Sequence, residues 1–382
     1  MNTKAVTTWR TMKLGELSLP RGSVSGPFGS SIKSEFFRPY GVPVIRGNNL
    51  TLRIEGGRFI DSGYIFLDEK KADELAKAEA LAGDLILTAR GTIGQTGLVP
   101  KDAKYPRYII SANQLRFRLD PEKADPEFVY YQLSSPRMVR HVQGNSVNVG
   151  VPNFNLGAAR NIEIQLPEDV FEQKRIASIL SAFDQKIDNN NRIIKALEEM
   201  AQIIFKERFV KNSKNKKLER VSLGKVVELI YGKALKGENR ENGDVLVVGS
   251  SGIVGRHNES IAKGPGIVVG RKGVAGSVIW VDEDFYPIDT TFYVKTELPL
   301  IFCYYLLRGA NFISGDSAVP GLNREDAYRT EVQIPDQTAM EEFQRLVEPM
   351  FLQRYVLHKE NQKLIIMRNL LLSRLMSGKI II

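Results

Sequence analysis

The chain repeats itself, and an internal repeat restricts a fold more than any single motif does. Met12-Lys-Leu-Gly-Glu16 recurs as Val221-Ser-Leu-Gly-Lys225. Gly83-Asp-Leu-Ile-Leu-Thr-Ala-Arg-Gly-Thr-Ile-Gly94 recurs as Gly264-Pro-Gly-Ile-Val-Val-Gly-Arg-Lys-Gly-Val-Ala-Gly276. Glu127-Phe-Val-Tyr-Tyr-Gln-Leu133 returns as Leu300-Ile-Phe-Cys-Tyr-Tyr-Leu-Leu307, and Val151-Pro-Asn-Phe-Asn-Leu156 as Val319-Pro-Gly-Leu-Asn323. Each copy then reaches an apolar strand ending in proline, Ile162-Glu-Ile-Gln-Leu-Pro167 and Glu331-Val-Gln-Ile-Pro335. The offset between copies falls from 209 at Leu14 and Leu223 to 168 at Pro167 and Pro335. The chain is therefore one unit written twice, the second time with about forty fewer residues before its last segment.

Beyond each proline the hydrophobic period lengthens from two residues to about 3.5. Leu180, Phe183, Ile187, Asn190, Ile194, Leu197, Ala201 and Ile204 alternate steps of three and four. So do Phe343, Leu346, Met350, Gln353, Leu357, Glu360, Leu364, Met367 and Leu371. Two such seams predict two long helices. Pro349 either kinks or starts the second, because proline removes a backbone donor and crowds the preceding turn. Gly378 reads as its stop. A narrow apolar stripe must be covered, either by the other helix as an antiparallel coiled coil or by the helix's own globular half. Asn190 on the seam is a register device if paired and otherwise a tolerated polar residue. The run Lys211-Asn-Ser-Lys-Asn-Lys-Lys217 has no apolar residue and marks the join. The expected parts are globular 1–166, helical 167–211, globular 212–335 and helical 336–382.

The globular parts read as β-rich, so the fold class is α+β. Val44-Ile45, Leu85-Ile-Leu87, Leu115-Arg-Phe-Arg-Leu119, Val245-Leu-Val-Val248, Gly266-Ile-Val-Val269 and Phe292-Tyr-Val294 are short strands between turn residues. Glycines spaced by three, at 91, 94 and 97, at 249, 252 and 255, and at 270, 273 and 276, fit tight turns rather than element interiors. A length of 382 residues suits two or three domains, and no apolar run is long enough to span a bilayer. Met1 to Arg10 lacks an apolar signal core, an expectation against secretion. The lone Cys303 excludes an intramolecular disulfide and fits a reducing cytoplasm. His141, His257 and His358 lie far apart, without zinc spacing. The formal charge of +9 is compatible with a polyanionic partner, of which nucleic acid is the commonest.

Particular strings carry a family resemblance. Gly26-Pro-Phe-Gly-Ser-Ser-Ile-Lys33 followed by Val42-Pro-Val-Ile-Arg-Gly-Asn48, then Gly83 to Gly94, and then Pro167 to Asp188 with Glu172-Gln-Lys-Arg-Ile176 and Phe183-Asp184, resemble segments of one family. With the duplicated layout they make the chain similar, over essentially its whole length, to the DNA-specificity subunits of type I restriction-modification systems. The resemblance implies two target-recognition domains, here 1–166 and 212–335, each reading half of a split double-stranded DNA site. It also implies that the two helices pair as a spacer and dock two modification (methyltransferase) subunits, which restriction (translocase) subunits then join. It implies no chemistry by this chain and no cofactor.

The residues agree with a non-catalytic role. The Asn- or Asp-Pro-Pro-aromatic string of an amino-methyltransferase is missing, as is a P-loop. Gly270-Arg-Lys-Gly-Val-Ala-Gly276 has the wrong spacing for a phosphate loop, and Asp68-Glu-Lys70 reads as a solvated charge run. A fused restriction-methylation enzyme would need those motifs. A coiled-coil adaptor for proteins alone would not need two basic, glycine-punctuated copies. The DNA-reading candidates follow from residue type, since Arg and Lys meet phosphates or guanine and Asn meets adenine. In the first copy they are Ser30, Ser31, Lys33, Arg46, Asn48, Arg90 and Thr92; in the second, Lys233, Lys236, Arg271 and Lys272. For each, a surface charge or turn-stabilising role is the alternative, and Arg90 with Gly91 recurs in both copies as a shared structural element would.

Overall fold

The computed structural model describes residues 8–51, 58–144, 154–211, 218–312 and 321–376. The join from 212 to 217, the expected stop at Gly378, Met1 to Thr7, and the repeat residues Val151 to Asn153 and Val319 to Pro320 lie outside them. The chain forms two compact units, one of residues 1–191 with 360–382, the other of residues 192–359. The fold is α+β, and the duplication is written in its hydrogen bonds.

The first unit has a four-stranded antiparallel sheet in the order Ser18–Ser25, Gln114–Leu119, Leu85–Thr88, Thr96–Leu98. The second unit repeats it as Glu228–Tyr231, Thr291–Lys295, Gly266–Gly270, Val278–Val281. A parallel pair recurs too: Val42–Ile45 beside Tyr108–Ile110, and Val245–Gly249 beside Phe285–Pro287. Loop contacts match one by one. The Leu14 N–H donates to Ile162 O at 2.9 Å, and the Leu223 N–H to Thr330 O at 2.9 Å. The Gly26 N–H reaches Gln114 O at 2.9 Å, and the Gly232 N–H reaches Thr291 O at 3.0 Å. The Phe154 N–H donates to Ala89 O at 2.8 Å, and the Leu322 N–H to Arg271 O at 2.8 Å. Gly91 and Gly94 have positive φ, as do Gly273 and Gly276, because the turn after each third sheet strand passes through backbone that side chains disfavour. Gly97, Gly249, Gly252, Gly255 and Gly270 of the three-residue series instead lie in strands.

Each long helix opens just beyond its proline. Asp169 Oδ1 accepts the Phe171 N–H at 2.8 Å before Val170–Phe205, and Asp336 Oδ1 accepts the Ala339 N–H at 2.9 Å before Gln337–Leu375. These carboxylates satisfy first-turn donors that have no partner within the helix. In the first unit Leu180 and Ile176 share one core with Leu372, Leu375 and the sheet residues Leu115 and Phe117. In the second, Phe205 and Phe209 pack on Phe302 and Phe343 with ring centroids 5.2–5.7 Å apart. The helices therefore cover each other and their globular parts together. Within each unit their pairing is antiparallel: Asp184 meets Arg368 and Asn190 meets Asn361 in the first, Glu198 meets Arg354 and Phe205 meets Phe343 in the second.

The expected seam places the first helix's contacts on buried Leu180, Ile187, Asn190 and Ile194, with Phe183 and Leu197 half-buried. On the second helix Leu357 is buried, and Leu364 and Leu371 are half-buried. Met367 needs correction, since it is 52% exposed, and so does Leu346 at 44%. Arg368 and Val347, one residue further along, take their places, and Asn361 rather than Glu360 is buried. Pro349 does not start this helix but lies inside it, on the exposed face.

Candidate nucleic-acid interface

The exposed basic candidates gather on loops at the ends of the duplicated sheet strands. In the first unit the turn Gly29–Ser31 carries Ser30 and Ser31, with Lys33 exposed beyond it. Arg46 is tied down: its Nη2 donates to Gly63 O at 3.2 Å, and its N–H donates to Asn49 Oδ1 at 2.9 Å. Asn49, buried, also donates to Ile60 O and Ser62 O at 2.9 Å each, which leaves its neighbour Asn48 on the surface. Arg90 and Thr92 are exposed on the turn that carries Gly91 and Gly94.

An open cleft of about 830 Å³ brings Ser31 and Arg90 together with Phe28, Ala89 and Asn155. Ser30, Lys33, Arg46, Asn48 and Thr92 are not among its lining residues. The acids on its wall are engaged elsewhere, Asp73 by Arg107 at 2.8 Å and Glu74 by Lys71 at 2.9 Å. Phe28, 86% exposed in a glycine turn, was missed by reasoning from charge and amide chemistry alone.

In the second unit Lys233 and Lys236 are exposed on the loop after Glu228–Tyr231, and Lys236 Nζ lies 3.8 Å from Glu238. Lys272 is exposed, while Arg271 is half-buried and donates to Asp289 O at 2.8 Å. The Arg271 guanidinium sits 5.1 Å from the Tyr231 ring centroid, and that of Arg324 also lies 5.1 Å from it. Tyr231 and Arg324 were not among the sequence candidates. The repeat itself held the signal for Arg324, which directly follows the matched Asn323. Both asparagines cap the next short helix, Asn155 accepting the Ala158 N–H and Asn323 the Glu325 N–H.

Among the described residues no group of three His, Cys, Asp or Glu is placed to hold a metal ion, and no helix is long and apolar enough to cross a membrane. Burial pushes the Cys303 thiol up to about 12, so it stays a neutral core thiol at neutral pH.

The profile of the type I restriction modification DNA specificity domain matches residues 8–199, half of the chain. The chain belongs to this type I specificity family. A type I restriction enzyme specificity subunit of Methanocaldococcus jannaschii is 28% identical over 153 residues, 40% of this chain and 34% of the relative. A putative type I specificity subunit of Mycoplasma genitalium is 29% identical over 132 residues, 32% of this chain and 34% of that relative. The matched stretch thus spans about a third of the length of these curated members. A crystal structure of a type I restriction-modification S subunit from M. genitalium aligns over 98% of both chains with a TM-score of 0.61 at 17% identity, a likeness of fold.

Proposed function

We propose that this chain is the non-catalytic, cytoplasmic DNA-recognition subunit of a type I restriction-modification complex, and that each β-rich unit reads one half of a bipartite double-stranded site. The duplicated loop frame carries this reading. Both units present basic residues on backbone-equivalent turns, Arg90 before Gly91 and Lys272 before Gly273. Such turns bring backbone N–H groups and cations to one surface, where phosphates are met and bases are read. The expected target-recognition parts, 1–166 and 212–335, belong to this proposal. So do two modification subunits docked on the long helices, with restriction subunits joining them. Exposed Ile193, Met200 and Ile203 on the first helix and Leu352, Val356 and Ile366 on the second support a docking role, since apolar surface of this kind on helices favours a protein partner.

The paired helices also serve as the spacer between half-sites in this reading. Their 36 and 39 residues correspond to about 54 and 58 Å. The test is selection of bound duplexes from random DNA by the full chain with its modification subunit. A split motif is expected. Replacing residues 218–335 with the matching part of a related subunit should change one half-site only, and a change in both would overturn independent reading. Inserting four residues after Asn190, matched by four after Glu360, adds about 6 Å. The selected spacer should then lengthen by about one or two base pairs with both half-sites unchanged. An unaltered spacer would leave the helices as a docking platform only.

A further inference from the structure

The shared frame shows where the two units part in chemistry. Gly26 and Gly232 make equivalent hydrogen bonds, so Ser25 and Tyr231 just before them occupy the same place. Ala89 O and Arg271 O each accept the N–H of the residue preceding a capping asparagine, so Ala89 and Arg271 correspond. Leu156 and Arg324 follow those asparagines and correspond in turn. In the first unit Ser25, Ala89 and Leu156 all line the open cleft. In the second unit the same three positions hold an aromatic ring with two guanidinium groups, each 5.1 Å from its centroid. One backbone frame thus carries either a cleft or a cation–aromatic cluster.

We infer that these three frame positions determine the half-site each unit selects, and that in the second unit Arg324, held on Tyr231 beside Arg271, reads a guanine. This rests on the DNA-recognition reading above. A guanidinium lying on an aromatic ring has lost much of its rotational freedom, so its planar fork meets the O6 and N7 of guanine already oriented. Arg271 spends a donor on Asp289 O, which fixes it as the inner member. Arg324 makes no side-chain hydrogen bond among the described residues; Glu325 Oε1 lies 3.7 Å from its Nε. Tyr231 is 45% exposed, so the cluster is open to a ligand. The residues come from three distant segments, but the frame that assembles them is fixed by backbone hydrogen bonds, which leaves their side chains free to differ between the units.

The experiment is duplex selection and competition binding with the full chain and its modification subunit, comparing wild type with Arg324→Lys and Arg324→Ala. Arg324→Lys keeps the charge but loses the fork. It should reduce preference for guanine at one position of the second half-site by about fivefold to a hundredfold, with the first half-site and the salt dependence unchanged. Arg324→Ala should do the same and lower the salt slope by at most about one unit. The unchanged first half-site serves as the internal control for folding. Selection profiles identical to wild type in both variants would overturn the inference, and so would equal loss at both half-sites in Arg324→Lys. If the wild-type complex selects no sequence at all, the DNA-recognition reading itself falls, and this inference falls with it.

Discussion

The helix pair contains charged layers in both units, and they live in different surroundings. In the first unit Arg368 Nη1 donates to Asp184 at 2.8 Å with both side chains sealed, at 0% and 1% exposure. The Tyr131 hydroxyl donates to the same carboxylate at 2.7 Å. In the second unit Arg354 is almost as deep, but its partners reach water. It donates to Glu198 at 3.1 Å and to Asp282 at 2.9 Å, carboxylates that are 44% and 23% exposed. The arginines sit fourteen residues apart with Asn361 midway, at successive heptad positions. The same position can therefore hold a sealed ion pair or a hydrated one, and the depth of the carboxylate decides what is lost when the arginine goes.

That contrast is broken most directly by removing each arginine. Arg368→Ala takes the nearest cation from the sealed Asp184 carboxylate, leaving it the Tyr131 hydroxyl and Arg58 Nε at 3.9 Å, and should cost about 3–5 kcal/mol in chemical denaturation. Arg354→Ala should cost less, about 1–3 kcal/mol, because Glu198 and Asp282 can recover water. Equal losses would show that depth is not the governing variable. The central layer sharpens the point in the other direction. Asn190 Nδ2 donates to Asn361 Oδ1 at 2.8 Å and Asn361 Nδ2 to Asn191 Oδ1 at 2.9 Å, while Asn190 Oδ1 is buried without a hydrogen bond. Replacing Asn190 and Asn361 together by Leu removes that unmet acceptor, so stability should change by less than about 1 kcal/mol. What should suffer is register, read as more than one spacer length in DNA selection. A single unchanged spacer would make the asparagines dispensable to register.

The duplication was legible because its landmarks are local strings, and strand positions such as Leu85–Thr88 and Gly266–Gly270 follow from compact apolar runs between turns. The first helix's seam was legible because only one of its expected positions, Asn190, is polar. The second was read one residue out of place at Leu346, Gln353, Glu360 and Met367. Periodicity counts apolar residues, and here Arg354, Asn361 and Arg368 occupy the buried face while leucines and a methionine face outward. A buried arginine cannot be told from a surface one until its carboxylate is placed, and Asp184 lies on the other helix. The Tyr231–Arg271–Arg324 cluster was hidden for the same reason: it is assembled from segments far apart in sequence.

The smallest effect belongs to an ion pair at the rim of the same helix pair. Lys186 Nζ lies 3.4 Å from Glu360 Oε2, with side chains 50% and 39% exposed. Glu360 also accepts the Asn190 Nδ2 hydrogen bond at 2.8 Å, so its carboxylate keeps a partner and water when the lysine is removed. Lys186→Ala should therefore cost no more than about 0.2–1 kcal/mol. The loss should shrink further as salt rises, because exposed charges are screened within about 10 Å at 0.1 M. Arg368→Ala should show no such relief, since salt does not enter a sealed layer. Denaturation of both variants at low and high ionic strength separates the two regimes. A Lys186→Ala loss that persisted undiminished at high salt would mean that the rim pair is as sheltered as the core one, and the contrast between sealed and hydrated layers would fail.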